Sequence, residues 1–302
     1  MNVVDLLANS EDLLSPGISA CQGCMSELGL RNALKVLGKK TVITIPPGCM
    51  AGAGVGGWNK SFGVKIPSFM PQLGNSASML TGVKAAYDLI DPDVNVVAYS
   101  GDGATADIGL QALSAAAERK NNIIYICNDN EGYMNTGFQK SGTTPRGART
   151  STTPVGKVGA GKINFKKDVP MMLAGQDAAY VATCTPAYMK DFVEKIQKAT
   201  EIKDGLVYIH ILNVCPTGWG TSPEKGIGYA KAAVQSRYFP LFEYRNFKYT
   251  LSQPSASKKD PLPVEEFLKG QKRFKHLTEQ DIEEIKNFVN KKWEILSRLT
   301  AE

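Results

Sequence analysis

The chain has 302 residues, of which 43% are apolar and 21% charged, and its formal net charge is +6. This length can bury a substantial core in one large or two small domains, and the composition is typical of a globular protein. No run of about 18 apolar residues occurs and the first residues lack a basic stretch, so we expect neither a membrane span nor an export signal, and a cytoplasmic location.

Apolar runs and helical periodicities alternate along the first 240 residues. The strand-like runs are nearly all apolar, which is typical of buried parallel strands. The pattern predicts an α/β fold with a doubly wound, mostly parallel sheet, whose functional loops gather at the carboxyl edge. In chain order the predicted elements are a helix at 27–37, a strand at 41–45, a helix at 76–90, a strand at 95–99, a helix at 107–118, a strand at 123–127, a strand at 179–182, a helix at 188–200 and a strand at 206–212.

The pattern changes after Leu241, so we predict a first domain at 1–240 and a C-terminal extension at 241–302. Residues 252–263 are rich in Ser, Lys and Pro and are interpreted as an extended linker. Thr278 to Asp281 is a capping-type start for an amphipathic helix. We expect this tail helix to dock on its own domain, with docking on a partner subunit as the alternative.

The positive charge is spread along the chain. The lysines at 157–167 and 190–203 are interpreted as solvated faces, because no arginine-rich or aromatic-interleaved patch accompanies them. We therefore expect no nucleic-acid partner. A mildly basic surface is compatible with the steering of an acidic protein partner.

Two polar segments follow predicted strands at the carboxyl edge of the sheet. Gly101-Asp102-Gly103 follows one strand, and Asn128-Asp129-Asn130 ends the next. Asp102, the Asn130 side chain and a nearby backbone carbonyl can supply three oxygen ligands to Mg²⁺, which takes its other ligands from phosphate and water. Gly-Asp-Gly alone is equally typical of an ordinary turn.

Four of the six cysteines lie in Gly- or Pro-rich loops, where backbone amides can face thiolates as an iron–sulfur cluster requires. The alternatives are structural zinc, a redox dithiol at the CxxC, or buried cysteines without chemistry. Cys127 and Cys184 lie in strand-like runs and are expected to pack in the core. The four loop cysteines are Cys21, Cys24, Cys49 and Cys215.

The polar segments and the cysteine spacing together resemble a known family. Gly101-Asp102-Gly103 and the run 128–137 resemble the thiamin-diphosphate motif of the 2-oxoacid:ferredoxin oxidoreductases, most narrowly that of beta subunits acting on pyruvate. The cysteine pattern resembles the ligand set of the cluster nearest the thiamin in that family. The resemblance extends from Cys21 to about Leu277 and implies a thiamin-diphosphate-binding fold, Mg²⁺ and one [4Fe–4S] cluster.

The resemblance also implies roles for individual residues. Cys21, Cys24, Cys49 and Cys215 would bind the cluster. Asn135 is expected to contact the reacting groups in catalysis. For the cofactor, the implied Mg²⁺ ligands are Asp102, Asn130 and the Gly132 carbonyl, the residues that let the turn approach the diphosphate are Gly101 and Gly103, and those beside the thiazolium are Asn135 and Thr136.

The implied reaction is the reversible oxidative decarboxylation of pyruvate to acetyl-CoA and CO₂, with electrons passing through iron–sulfur clusters to ferredoxin. Thiamin enzymes also need a pyrimidine-binding module, for which this chain has no room. The resemblance therefore implies an enzyme subunit that is inactive without alpha, gamma and delta partners. The alternatives are another 2-oxoacid or oxalate as substrate, a clusterless decarboxylase or transketolase-like subunit, and a noncatalytic assembly subunit.

Two further features carry weaker expectations. His210 lies in an apolar run and is interpreted as a core histidine with satisfied hydrogen bonds. The glycine-rich loop at 50–57 leaves open which bulky side chain holds the cofactor bent, with Met50 and Val55 as candidates.

Overall fold

The structure is a computed structural model that describes residues 2–54, 63–157, 159–257 and 260–301. Its strands are β1 Thr41–Thr44, β2 Ser68–Phe69, β3 Asn95–Gly101, β4 Ile124–Asp129, β5 Tyr180–Cys184, β6 Val207–Leu212, β7 Phe242–Arg245 and β8 Lys248–Leu251. Within the described ranges they form one sheet in the order β2-β1-β3-β4-β6-β5-β7-β8. Strands β1 to β6 pair in parallel and β7 and β8 are antiparallel, so the predicted fold class is confirmed.

The helices flank this sheet, and those predicted from periodicity are present. A π-helix at Ala104–Ile108 precedes α5, where the sequence predicted one helix from residue 107. The α-helices are α1 Val3–Asn9, α2 Met25–Leu37, α3 Ala51–Gly54, α4 Ser76–Ile90, α5 Leu110–Glu118, α6 Val169–Ala174, α7 Met189–Glu201, α8 Pro216–Trp219, α9 Gly226–Gln235, α10 Val264–Leu268 and α11 Glu279–Leu299.

Alternate residues of the central strands pack against opposite helical layers. In β4, Ile124 and Ile126 belong to the core shared with α2 and α7, whereas Tyr125 and Cys127 belong to the core shared with α4 and α5. This alternation follows from strand geometry, and burial on both faces explains the apolar strand sequences. Cys127 and Cys184 are fully buried, as predicted.

The strand register brings the polar loops to one edge of the sheet. Gly101 at the end of β3 is aligned with Asn128 in β4, and Asp129 is aligned with Leu212 at the end of β6. The loops that follow these three strands therefore start side by side. Segments that lie up to about a hundred residues apart in sequence meet at this carboxyl edge.

The strand pair β7–β8 was not predicted from the sequence. It extends the sheet beyond residue 240 by pairing with β5, and its tight turn has positive φ at Asn246 (50°) and Phe247 (61°). Such a turn suits the twist of a two-residue hairpin. The domain boundary at 240/241 stays a prediction, and the predicted linker at 252–263 lies partly outside the described residues.

The tail helix α11 docks on its own chain, as predicted. Thr278 and Asp281 form the expected capping box, and Ile285, Val289 and Leu296 bury the apolar face. In the part of the chain that the structure describes, no helix combines the length and apolarity needed to cross a membrane.

Candidate active site

The side chains of Asp102 and Asn130 and the Gly132 carbonyl converge where β3 and β4 end. The carboxamide atom of Asn130 that faces this point lies 3.1 Å from Asp102 Oδ1 and 2.9 Å from the Gly132 carbonyl oxygen. Without a cation, the amide satisfies both neighbours by donating from its nitrogen. With its oxygen turned inward, it completes a set of three oxygen donors, which is the donor type that Mg²⁺ prefers. The predicted ligands therefore meet, and they fit a magnesium ion.

The other oxygen of Asp102 is held by hydroxyl groups. Asp102 Oδ2 accepts hydrogen bonds from Ser141 Oγ at 2.5 Å and Thr143 Oγ1 at 2.8 Å. Burial and the neighbouring charge of Asp129 raise the pKa of Asp102 well above its usual value. A buried carboxylate in this state gains stability from a bound divalent cation.

A buried lysine organises the loop that carries these hydroxyls. Lys162 Nζ donates to the carbonyl oxygens of Ser141 and Gly142, both at 3.2 Å, and to that of Thr144. Burial lowers the pKa of Lys162 to about 8. This clamp fixes the backbone at 141–144, and so fixes the hydroxyls that orient Asp102.

A second carboxylate lies beneath the first. Thr143 Oγ1 lies 2.8 Å from Asp129 Oδ1 as well as from Asp102, and His210 Nε2 lies 2.8 Å from Asp129 Oδ2. Burial works to raise the pKa of Asp129, but the hydrogen bond and charge of His210 bring it below its usual value. His210 Nδ1 also bonds Tyr208 Oη at 2.8 Å, so both ring nitrogens are engaged, as expected of a satisfied core histidine.

The two glycines of Gly101-Asp102-Gly103 have different surroundings. A Cβ added at Gly101 would meet nothing within 4 Å, which leaves room for a group to approach the backbone. A Cβ at Gly103 would lie 2.3 Å from the ring of Tyr133, whose hydroxyl donates to the Gly103 carbonyl at 3.0 Å. The need for glycine at 103 is thus explained by packing against Tyr133.

A cavity of about 50 Å³ opens over the oxygen donors. Asn135 lines it and is exposed, and its catalytic role stays a prediction. Thr136 is not among the lining residues, and its hydroxyl bonds Gln139 Oε1 at 2.5 Å. Met50 lines the cavity, whereas Val55 lies outside the described residues.

The four loop cysteines lie close enough for their charges to interact. Cys21 is exposed and the other three are partly buried. Burial raises the pKa of the Cys49 thiol to about 12, and the other three thiols add to this through their charge. Among the described residues, no three His, Cys, Asp or Glu side chains are arranged to hold a single metal ion. Thiolates placed this close repel one another, so a bound group that brings positive charge would favour their deprotonated form.

A backbone amide faces the Cys215 thiol, whereas the Cys24 side chain accepts no capping hydrogen bond from α2. Cys24 precedes α2, and Cys215 precedes the single turn α8, where the Gly218 amide lies 3.3 Å from Cys215 Sγ. Burial raises the pKa of Cys215 to about 11, while this amide and the charge of Arg273 act in the opposite direction. An amide donor of this kind stabilises a thiolate, and the cluster itself stays a prediction.

The cysteine loop, residues 215–220, contacts the segment that carries two of the oxygen donors. Trp219 Nε1 donates to the Asn130 carbonyl at 2.9 Å, and a Cβ added at Gly218 would lie 2.2 Å from Met134 Sδ. Cys49 lines the same cavity as Asp102. The predicted metal site and the predicted cluster site are therefore adjacent, a proximity that sequence alone did not establish.

The sequence did not predict the buried charge network around Glu131. Glu131 is fully buried at φ 66°, and Arg273 Nη2 and Lys166 Nζ lie 2.7 and 3.1 Å from its carboxylate oxygens. Tyr238 Oη donates to Glu131 Oε1 at 3.0 Å. The acid itself, in a polar run without Lys or Arg, was the available signal, since a buried Glu needs cationic partners.

A larger cavity of about 270 Å³ lies under α11, away from the oxygen donors. Its lining is mainly apolar, and its lysines are paired, Lys292 with Asp168 and Lys166 with Glu131. The smaller cavity is the better candidate site, because oxygen and sulfur donors converge only there among the described cavities.

Comparison with known proteins adds independent information. Residues 48–211 match the family model described as Thiamine pyrophosphate enzyme, C-terminal TPP binding domain. This match includes the three oxygen donors and confirms the predicted thiamin-diphosphate-binding fold.

Several curated proteins are similar over nearly the whole chain. NADH-dependent phenylglyoxylate dehydrogenase subunit beta of Aromatoleum evansii is 40% identical, over 99% of this chain and 67% of that one. Pyruvate synthase subunit PorB of Methanothermobacter thermautotrophicus is 44% identical, over 93% and 96% respectively. Ketoisovalerate oxidoreductase subunit VorB of Pyrococcus furiosus is 42% identical, over 96% and 94%.

A solved structure is similar as well. The 2-oxoglutarate:ferredoxin oxidoreductase from Magnetococcus marinus, with 2-oxoglutarate, coenzyme A and succinyl-CoA bound, matches with a TM-score of 0.58 and 26% identity. The match covers 68% of this chain and 67% of that one.

Proposed function

Because this chain belongs to the 2-oxoacid:ferredoxin oxidoreductase beta subunits, we propose that it holds thiamin diphosphate through Mg²⁺ and carries one [4Fe–4S] cluster beside it. Asp102, Asn130 and the Gly132 carbonyl would hold the metal ion. The cluster would be bound by Cys21, Cys24, Cys49 and Cys215. The observation that supports this proposal most directly is that the three oxygen donors and Cys49 line one cavity.

When bound, thiamin diphosphate stabilises the carbanion left when a 2-oxoacid loses CO₂, and a neighbouring cluster accepts the electrons one at a time. The chain itself supplies position and electrostatics. Ser141 and Thr143 orient Asp102, Trp219 holds the Asn130 carbonyl, and the open backbone at Gly101 admits the diphosphate. Asn135, exposed in the cavity, would contact the substrate.

We propose pyruvate as the substrate, oxidised to acetyl-CoA and CO₂ in a reversible reaction. The relatives at 40–44% identity include enzymes named for pyruvate, ketoisovalerate and phenylglyoxylate. Their similarity supports a 2-oxoacid, and the highest identity of these three supports pyruvate. Another 2-oxoacid or oxalate is the alternative that the experiment must distinguish.

The partners follow from the same family. We propose that the chain works in a cytoplasmic complex with alpha, gamma and delta subunits, uses coenzyme A as acyl acceptor and passes electrons to ferredoxin. The net charge of +6 suits an acidic electron carrier. Since one relative is named NADH-dependent, the carrier is tested together with the substrate.

The test uses the complete complex, purified without oxygen, and records its visible and low-temperature EPR spectra. We expect bleaching and a reduced-cluster signal on adding pyruvate with thiamin diphosphate, Mg²⁺ and coenzyme A, and faster turnover with ferredoxin than with NAD⁺. Reduction by 2-oxoisovalerate or phenylglyoxylate alone would reassign the substrate. A complex whose spectra show no cluster bound by this chain would return the cysteines to zinc or packing roles.

A further inference from the structure

A buried cation lies on the cysteine loop, and the reaction outlined above does not use it. Arg273 is 2% exposed, and its guanidinium carbon lies 3.8 Å from the ring centre of Trp219. Its Nη2 is bound to Glu131 and its Nε donates to Gln271 Oε1 at 2.9 Å. Its Nη1 has no hydrogen-bond partner among the described residues. A buried charge held this way acts at long range, because little solvent screens it.

Trp219 connects this cation to the cysteine. Trp219 ends the single turn α8 that begins after Cys215, and its amide donates to the Cys215 carbonyl at 2.9 Å. A Cβ added at Gly220 would lie 2.6 Å from Lys272 Cβ, so the segment of Arg273 packs tightly against the cysteine loop. The charge of Arg273 is therefore fixed with respect to Cys215.

The neighbouring acid does not cancel this charge by itself. Glu131 is shared between two cations, Arg273 at 2.7 Å and Lys166 at 3.1 Å. The three groups together carry one positive charge in excess. Glu131 stands between Asn130 and Gly132 in the chain, so this charge network adjoins two of the oxygen donors.

We propose that Arg273 raises the reduction potential of an iron–sulfur cluster held by the four loop cysteines. The inference rests on the proposed function. Reduction adds one electron and no proton, so the cluster with its thiolates becomes one charge more negative, and a nearby buried cation stabilises the reduced state more than the oxidised one. In turnover the electron comes from the 2-oxoacid, and in a titration from dithionite. Arg273 thus acts on the cluster through its charge, and it links the predicted C-terminal extension to electron transfer.

The test is an anaerobic potentiometric titration of the full complex, followed by EPR, for Arg273→Gln, Arg273→Lys and Glu131→Gln. At a fixed solution potential, we expect Arg273→Gln to lower the ratio of reduced to oxidised cluster about tenfold, which is about 59 mV for one electron. Glu131→Gln removes the opposite charge and should raise the ratio. Arg273→Lys keeps the charge and should leave it within about threefold.

Shifts of opposite sign in Arg273→Gln and Glu131→Gln distinguish an effect of charge from an effect of packing. Equal shifts in one direction for Arg273→Gln and Glu131→Gln, or no shift in either, would overturn the inference while leaving the cluster in place. A complex with no cluster on these cysteines would overturn it together with the proposed function. If Arg273→Gln fails to assemble, the sign for Glu131→Gln decides.

Discussion

Replacing Asp102 by asparagine should raise the local stability of the cofactor-free protein and abolish the further stabilisation that the cofactor brings. Asp102 is 1% exposed, and burial together with Asp129 raises its pKa well above the usual value. The folded state therefore holds a proton that the unfolded state releases, so stability falls as pH rises from the unfolded pKa towards the folded one. A tenfold difference in proton affinity corresponds to about 1.4 kcal/mol.

Asparagine removes this penalty with little loss of hydrogen bonding. The Ser141 and Thr143 hydroxyls that donate to Asp102 can also accept, so an amide nitrogen in the same place finds partners. We expect Asp102→Asn to stabilise the cofactor-free site at neutral pH by about 1 to 3 kcal/mol. Adding Mg²⁺ and thiamin diphosphate at about a hundred times the Kd should stabilise the parent by about 2.7 kcal/mol. The variant should gain almost nothing.

Amide hydrogen exchange in peptides covering β3 and β4 of the intact complex measures both effects. Cofactor-free Asp102→Asn should exchange at least about tenfold more slowly than the parent near pH 7.5, with the difference shrinking towards pH 5. Asp191→Asn is the matched control, because Asp191 is also a buried acid with a raised pKa but is paired with Lys195. It should destabilise its own region and leave the cofactor response intact. Faster exchange in cofactor-free Asp102→Asn, or a full cofactor response in it, would refute the reasoning.

Three further predictions concern the cysteines, the exposed asparagine and the loop contact. Cys49→Ala should lose one cluster's iron and visible absorbance from the complex, whereas Cys184→Ala, in the core, should keep both; equal iron contents would contradict the ligand role. Asn135→Ala should lower kcat about 10- to 100-fold with cluster content unchanged, and normal turnover would remove it from the site. Trp219→Phe should leave the Asn130 carbonyl unpaired and lower the local stability measured by hydrogen exchange by about 1 to 3 kcal/mol. It should also weaken thiamin diphosphate binding, and unchanged binding would argue against a role for this contact.

Local sequence patterns predicted the central strands and the main helices of this protein, because buried strands and amphipathic helices each have their own periodicity. The strand pair β7–β8 was missed although Phe242 to Arg245 alternates between buried and half-buried positions, since four residues are too few for a firm pattern. The capping box at Thr278 was readable because its two partners are three residues apart. The surface beneath α11 decided which of its apolar residues are buried, namely Ile285, Val289 and Leu296.

The sequence by itself determined the family and which polar and cysteine side chains the carboxyl-edge loops carry, because short motifs fix backbone turns and side-chain chemistry locally. Only the tertiary structure decided what surrounds those side chains. Ser141 and Thr143 reach Asp102 from about forty residues away, and Arg273 reaches Glu131 from 142 residues away. These contacts set charge and orientation at the site, and they depend on burial and register, which no local pattern encodes.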